Sequence, residues 1–203
     1  MMKSIALYGG SFDPIHIGHL ITASRVVSEL QLEKLIFIPT NKTPLKRNYQ
    51  MAPAPARLEM IKLSIEDVDY FSVSDFEIKK DGVSYTYDTV KHFKKIYSDY
   101  KIYFIIGTDR VKDLKNWYNI EKLKELVTFI FVSRNKENLE RLTREDNFYQ
   151  NIDYKIVKNN ILEISSTLIR ENVQENKKID YMVVEKCKKY IKESRLYADK
   201  RNN

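Results

Sequence analysis

Short, continuous runs of apolar residues alternate along this chain with segments whose apolar positions recur every three or four residues. The apolar runs predict buried strands at residues 5–8, 34–39, 101–106 and 128–133. The helical spacing predicts helices between them, including residues 18–30, 56–66, 86–97 and 120–126. Strands that are buried on both faces and joined by helices form parallel sheets with right-handed crossovers. We therefore predict an α/β fold, a Rossmann-like open parallel sheet with helices on both faces.

Weaker patterns complete this outline. Residues 71–74 and 154–157 are strand candidates, and the Asp81-Gly82 pair in residues 78–84 is a hairpin-type turn signal. A short helical turn is expected at 110–114. Residues 135–151 are polar and predicted to be irregular, with a helix only around Leu139. A helix is expected to start within 164–170, and a final helix to span 180–192, so that the chain ends in a small C-terminal helical part.

The chain length predicts a single domain. With 203 residues, of which 43% are hydrophobic and 31% charged, it can bury one sizeable core. We divide it into a Rossmann-like core, residues 1–160, and a C-terminal helical part, residues 161–203. One cysteine, Cys187, leaves no internal disulfide framework, and no apolar run is long enough to span a bilayer. These features favour a cytoplasmic protein without membrane contact.

The formal net charge of +7 favours anionic partners. One interpretation is a basic nucleic-acid-binding protein, because residues 177–201 contain nine basic and four acidic residues interleaved with tyrosines. Apolar residues recur at helical spacing in the same stretch, however, which is typical of a docked helix with a solvated face. The other interpretation is an enzyme acting on nucleotides, with no nucleic acid as partner.

The strongest chemical signal is the segment from Gly9 to His19, which follows the first strand and precedes the first helix. Glycines let backbone N–H groups approach an anion, and a helix start adds unpaired N–H groups. Two of the three histidines, His16 and His19, lie here. Helix capping, core packing and a metal pair are alternatives, but only Asp13 offers a further ligand nearby. A phosphate site with imidazole donors explains the whole segment best.

Two motifs resemble those of a known superfamily. The residues His16-Ile17-Gly18-His19 spell the HIGH signature of the nucleotidylyltransferases, and residues 164–170 resemble their second signature, ISSTxxR. Considered alone, the serines of residues 165–166 are an ordinary helix N-cap. Arg170 adds a guanidinium one turn into that helix, where it can bind phosphate.

Three further stretches, residues 82–89, 106–109 and 116–118, resemble the bacterial nicotinate-nucleotide adenylyltransferase family, as does Arg57-Leu58-Glu59-Met60. The resemblance covers residues 5–197. It implies transfer of the adenylyl group of ATP to nicotinate mononucleotide, with deamido-NAD and pyrophosphate as products, in NAD biosynthesis. The same chemistry on nicotinamide mononucleotide or phosphopantetheine is the nearest alternative. ATP and nicotinate mononucleotide are thus the expected partners, and a homo-oligomer remains compatible with the sequence.

The resemblance also implies residue roles. The residues expected to bind ATP are Gly9, Gly10, Ser11, Phe12, His16, His19, Gly107, Asp109, Arg134, Ser165, Ser166 and Arg170. Those expected to bind nicotinate mononucleotide are Ser11, Lys46, Ser84, Thr86, Trp117 and Tyr118. Catalysis would depend on His16, His19, Arg170 and Lys46. Trp117 would stack on the pyridine ring, although a core position is its alternative.

Mg²⁺ is the expected cofactor, and it would bridge the phosphates that leave. The sequence contains no carboxylate cluster that suggests a dedicated metal site, so Mg²⁺ would be held largely by ATP and water. Three positions depart from the family pattern. Leu45 replaces the usual loop histidine, Asn135 replaces the proline after Arg134, and the usual proline before the last helix is absent.

Overall fold

A computed structural model describes residues 3–41, 51–80, 82–133, 136–158 and 163–198, without the side chains of residues 109 and 136–138. Within these residues the chain forms one sheet of six strands. They are β1 (Ser4–Gly10), β2 (Lys34–Pro39), β3 (Phe71–Val73), β4 (Lys101–Gly107), β5 (Thr128–Ser133) and β6 (Tyr154–Lys158). Every strand pair in the sheet is parallel, in the order β3-β2-β1-β4-β5-β6.

This strand order places a topological switch point between β1 and β4. Chain connections on the two sides of that point leave in opposite directions, which opens a crevice beyond the carboxyl ends of the strands. β1 ends at Gly10, paired in register with Pro39 of β2, and β4 ends at Gly107, paired with Val132 of β5. The glycine turn predicted from the sequence therefore lies at the edge where ligands bind in such folds.

Ten α-helices lie within the part of the chain that the structure describes. They are α1 (Ile17–Leu30), α2 (Ala54–Ile65), α3 (Phe76–Lys79), α4 (Thr86–Ile96), α5 (Thr108–Val111), α6 (Ile120–Leu123), α7 (Lys136–Glu145), α8 (Asn147–Gln150), α9 (Ser166–Gln174) and α10 (Glu185–Glu193). A 3₁₀ turn, Leu114–Asn116, precedes Trp117.

The helices cover both faces of the sheet and create two apolar cores. On one face, residues of α1, α2, α9 and α10, such as Ala23, Met60, Ile169 and Cys187, pack together. On the other face, α4 to α8 contribute residues such as Val90, Phe93 and Tyr149. Burial of Cys187 raises the pKa of its thiol to about 12, as expected for a packing residue. The predicted Rossmann-like fold is confirmed.

Three local predictions were wrong. The Asp81-Gly82 pair does not join two paired strands: α3 ends just before it, although Gly82 does adopt a left-handed φ of +91°. Asp81 itself lies outside the described residues. The last helix begins at Glu185 instead of residue 180, because Tyr181 has a φ of +61°, which an α-helix cannot accommodate. The segment predicted to be irregular contains α7 and α8.

None of the helices that the structure describes has the length and apolarity that a membrane crossing requires.

Candidate active site

The turn between β1 and α1 is shaped by an aromatic ring packed beneath it. Phe12 has a left-handed φ of 45°, and its side chain is buried against Tyr8 and Phe37. A Cβ on Gly10 would lie 3.0 Å from this ring, so a larger residue there would force the ring to move. The ring of Phe12, a residue predicted to bind ATP, thus packs against the turn. Gly9 and Gly10 end β1 at the switch point, and Ser11 follows them.

His16 and His19 are adjacent at the start of α1. His16 is the N-cap residue, and its ring stacks on that of His19 with a centroid separation of 3.7 Å. The backbone N–H of His16 donates to Nδ1 of His19 at 3.2 Å. Since Nδ1 accepts a hydrogen bond, the proton of neutral His19 must lie on Nε2. Burial, and secondly the neighbouring His16, lower the pKa of His19 well below 6.5. His19 is therefore a neutral imidazole that can donate through Nε2.

The second predicted motif lies against the first. Ser165 caps α9 by accepting a hydrogen bond from the Leu168 N–H at 3.1 Å. Ser166 Oγ donates to the carbonyl of Pro14 at 2.8 Å, and Arg170 donates to the carbonyl of Asp13, also at 2.8 Å. Two sequence motifs about 150 residues apart are thus hydrogen-bonded to each other.

A network of buried polar side chains contacts the turn between β1 and α1. No pattern in the sequence indicated this network. The Oδ1 atom of Asp13 accepts hydrogen bonds from the Ala52 N–H at 3.2 Å and from the Tyr197 hydroxyl at 2.7 Å. Arg57 donates to the carbonyls of Ala52 and Ser11, at 3.0 and 2.7 Å. Asp13 and Arg57 are each only 1% exposed. The network joins the turn, the residues that precede α2 and the C-terminal segment.

These network residues were missed for a physical reason. Arg57 belongs to a stretch noted only for its family resemblance, and nothing in its spacing indicates that its guanidinium points into the protein. Burial lowers the pKa of Arg57 from its ordinary value, while the Asp13 carboxylate opposes that shift. Only folding brings the Asp13 carboxylate, the Arg57 guanidinium and the Tyr197 hydroxyl into one network.

The predicted acceptor residues also meet. Thr86 begins α4, and Tyr85, its N-cap residue, gives the helix no side-chain cap. The ring of Tyr118 lies 4.6 Å from that of Tyr85 and 6.3 Å from that of Tyr87, centroid to centroid. Tyr118 is 53% exposed. The ring of Tyr118 thus contacts the side chains on both sides of Thr86 at the start of α4, whose first turn also carries the carboxylate of Asp88.

Trp117 lies partly in the core. A core position was the alternative that the sequence offered to stacking on a pyridine ring. Its ring is half-buried and meets Phe104 of β4 at an interplanar angle of 89°, with centroids 6.1 Å apart. It therefore packs onto the core while part of its surface stays open to a ligand.

The remaining predicted residues differ in how far the structure describes them. Gly107 is exposed, and a Cβ there would meet no atom within 4 Å, so the protein itself does not require a glycine at this point. The backbone of Asp109 lies in α5, but its side chain is not described. Lys46 and Arg134 lie outside the described residues. Their roles stay predictions.

Among the described residues, no group of three or more histidine, cysteine, aspartate or glutamate side chains could hold a metal ion. The histidine pair therefore has no third ligand of these types within the described chain.

The sequence matches the cytidylyltransferase-like family over residues 7–172. Similar structures include a Plasmodium falciparum nicotinic acid mononucleotide adenylyltransferase complexed with NaAD. It is 22% identical, with a TM-score of 0.77, and the alignment covers 96% of this chain and 97% of that one. The same enzyme complexed with APC gives a TM-score of 0.76 at 22% identity, with the same coverage. A Vibrio parahaemolyticus chain gives 0.69 at 20% identity, covering 98% of this chain and 97% of that one.

These structural similarities support the fold, and the family match extends from β1 into α9, across both hydrogen-bonded motifs. The chain therefore belongs to the cytidylyltransferase-like family.

Proposed function

We propose that this protein transfers the adenylyl group of ATP to nicotinate mononucleotide, releasing deamido-NAD and pyrophosphate, as a step of NAD biosynthesis. The observation that carries the proposal is the contact between the two phosphate motifs, in which Ser166 and Arg170 are bonded to the carbonyls of Pro14 and Asp13. A single triphosphate can span both motifs. The naming of two similar structures as nicotinic acid mononucleotide adenylyltransferases supports the choice of reaction.

The reaction is an in-line displacement at the α-phosphorus of ATP. A phosphate oxygen of the mononucleotide forms the new P–O bond, and the bond to the β-phosphate oxygen breaks as pyrophosphate leaves. Both reactants are anionic, so catalysis consists of positioning and of neutralising charge. Magnesium bound to ATP would supply additional charge neutralisation at the leaving phosphates.

The protein's own donors act at two points. Neutral His19 donates from Nε2 to the α-phosphate, where negative charge accumulates in the transition state. At the other motif, the start of α9 and the Arg170 guanidinium hold the β- and γ-phosphates. His16 contributes by fixing the tautomer of His19 through its backbone N–H.

The acceptor site favours a carboxylate over an amide. Helix α4 begins at Thr86 without a side-chain cap, and the positive end of a helix stabilises an anion more than a neutral group. Trp117 would stack on the pyridine ring, and the backbone amides near Thr86 and Tyr118 would bind its carboxylate.

The test is an acceptor panel. Purified protein is incubated with Mg²⁺-ATP and, separately, with nicotinate mononucleotide, nicotinamide mononucleotide or phosphopantetheine, and pyrophosphate release is measured with identification of the dinucleotide product. We expect the highest kcat/KM with nicotinate mononucleotide. A higher value with either other acceptor, or no release with any of them, would reject the proposal.

A further inference from the structure

Glu77, in the short helix α3, is a buried carboxylate that the proposed reaction does not use. It is 5% exposed. One oxygen, Oε1, accepts a hydrogen bond from the Thr89 hydroxyl at 2.5 Å, while Oε2 is buried and has no hydrogen-bond partner among the described residues. Burial raises the pKa of Glu77. Buried carboxyl groups are costly to the fold, so a role other than packing explains this one better.

Through Thr89, Glu77 is connected to the start of α4. Thr89 lies in the first turn of that helix, and its backbone N–H donates to the carbonyl of Tyr85 at 3.2 Å. The hydrogen bond from Thr89 to Glu77 therefore fixes the turn that presents the uncapped amides of α4.

A second set of contacts fastens the residues before α4 to the end of β2. The Asn41 N–H donates to Ser84 Oγ at 3.3 Å, and the Asn41 side-chain amide donates to the carbonyl of Lys80 at 3.4 Å. The preceding residue, Thr40, donates its N–H to the carbonyl of Gly10 at 2.9 Å. A continuous series of contacts thus links the turn after β1 to the acceptor segment.

An ion pair on the outside of the same segment completes this arrangement. Lys80 Nζ lies 2.5 Å from Asp88 Oδ2, which ties the chain before α4 to the helix's first turn. Both side chains are about one-third exposed, at 34% and 35%, so solvent weakens this contact. The hydrogen bond from Thr89 to Glu77, in contrast, is buried.

We propose that Glu77 is a positioning residue for the acceptor substrate: through Thr89 it holds the start of α4 at the distance from Trp117 and Tyr118 that the acceptor requires. Glu77 does not touch the substrate itself. This inference rests on the proposed function, since it assigns the acceptor to this end of α4. It predicts that loosening the hydrogen bond weakens acceptor binding and leaves ATP binding unchanged.

Thr89→Val is the direct test, because valine keeps the shape of threonine and removes the donor. We expect the KM for the acceptor to rise about fivefold to tenfold, as for the loss of a typical hydrogen bond. The KM for ATP should stay within about twofold. Thr89→Ser retains a hydroxyl and should restore the acceptor KM. Thr143→Val is the matched control, since Thr143 is also buried and helical, but donates within α7 to the carbonyl of Glu140.

Glu77→Gln provides a second variant, since it keeps an oxygen that Thr89 can use but removes the charge. We expect its acceptor KM to lie between those of the wild type and Thr89→Val. Amide hydrogen exchange in α4 should be faster in Thr89→Val and unchanged in Thr143→Val, which gives a readout independent of turnover.

The two proposals fail in different ways. The kinetic measurements use the acceptor that the wild-type protein turns over. If that acceptor is not nicotinate mononucleotide, the proposed function is rejected, but the test of Glu77 is unaffected. Equal changes of both KM values, an effect on kcat alone, no effect at all, or unchanged exchange in α4 would overturn the role of Glu77.

Discussion

At the scale of single residues, the state of the histidine pair decides what the site can do. The motif identifies His16 and His19, but the sequence does not specify a tautomer. The structure supplies it, because the backbone N–H of His16 points at Nδ1 of His19. A neutral imidazole with its proton on Nε2 is a hydrogen-bond donor that brings no fixed charge, whereas an imidazolium would be costly in this buried place.

The pH behaviour of His19 follows from the direction of its pKa shift. Burial lowers the pKa in the folded protein, while the unfolded chain keeps a value near 6.5. Below pH 6.5 the unfolded state therefore binds a proton that the folded state does not, and the free energy of unfolding falls as the pH drops towards the folded pKa. NMR titration of the ring should give a midpoint well below 6.5 with Nε2 protonated above it. A midpoint at or above 6.5 would contradict this.

Removing the imidazole should affect turnover and not the fold. In His19→Ala, we expect kcat to fall about 10²- to 10³-fold, the usual effect of losing one donor to developing negative charge. Circular dichroism of the variant should match the wild type, because α1 keeps its other contacts. Near-normal turnover in a folded variant would exclude His19 as the donor.

Trp117 can be tested by comparing the two substrates. The ring packs on Phe104 at one edge and is otherwise half-exposed, so Trp117→Ala should raise the KM for the acceptor about tenfold through lost stacking. The KM for ATP should change far less. Trp117→Phe keeps an aromatic face and should recover part of the loss. Equal weakening of both substrates would show that Trp117 only packs.

At the scale of elements, the sequence predicts strands and helices best where their apolar residues form a clear pattern. β2 and β5 were predicted residue for residue, because each is a continuous apolar run buried on both faces. α7 was largely missed because most of its side chains are polar. The last helix was predicted too long because the apolar spacing continues through Tyr181, whose left-handed backbone is invisible in a hydropathy pattern.

The residues that follow α10 contact the turn between β1 and α1, which no local pattern could indicate. Tyr197 reaches across 184 residues to the buried carboxylate of Asp13. Tyr197→Phe leaves Asp13 Oδ1 with one fewer donor, and we expect the free energy of unfolding to fall by about 1–3 kcal/mol. Urea unfolding measures this, and Tyr181→Phe, at a side chain that is 92% exposed, should have no effect. Equal stabilities of the two variants would argue against the network.

At the scale of the whole molecule, the net charge of +7 is not concentrated in an open basic surface at the C-terminal helix. Lys188 lies 2.7 Å from both Asp180 and Glu185, and Lys186 contacts Glu66 and Asp67. Lys189 lies 3.8 Å from Glu193. These three of the nine basic residues that suggested a nucleic-acid interface thus lie beside carboxylates, while the apolar face of α10 packs in the core.

This charge arrangement predicts weak binding to nucleic acid. Non-specific binding to DNA depends on neutralising phosphates with free basic side chains, and reaches dissociation constants of about 10⁻⁴ to 10⁻⁶ M at physiological salt. Because carboxylates lie beside three of the four lysines of α10, we expect the anisotropy of a labelled DNA duplex to show no saturable binding up to about 100 μM protein in such salt. Mg²⁺-ATP should still raise the unfolding temperature in the same buffer, since its proposed site consists of backbone amides, His19 and Arg170. Saturable duplex binding with a steep salt dependence would contradict the prediction, and the basic residues would then have to act together as an interface.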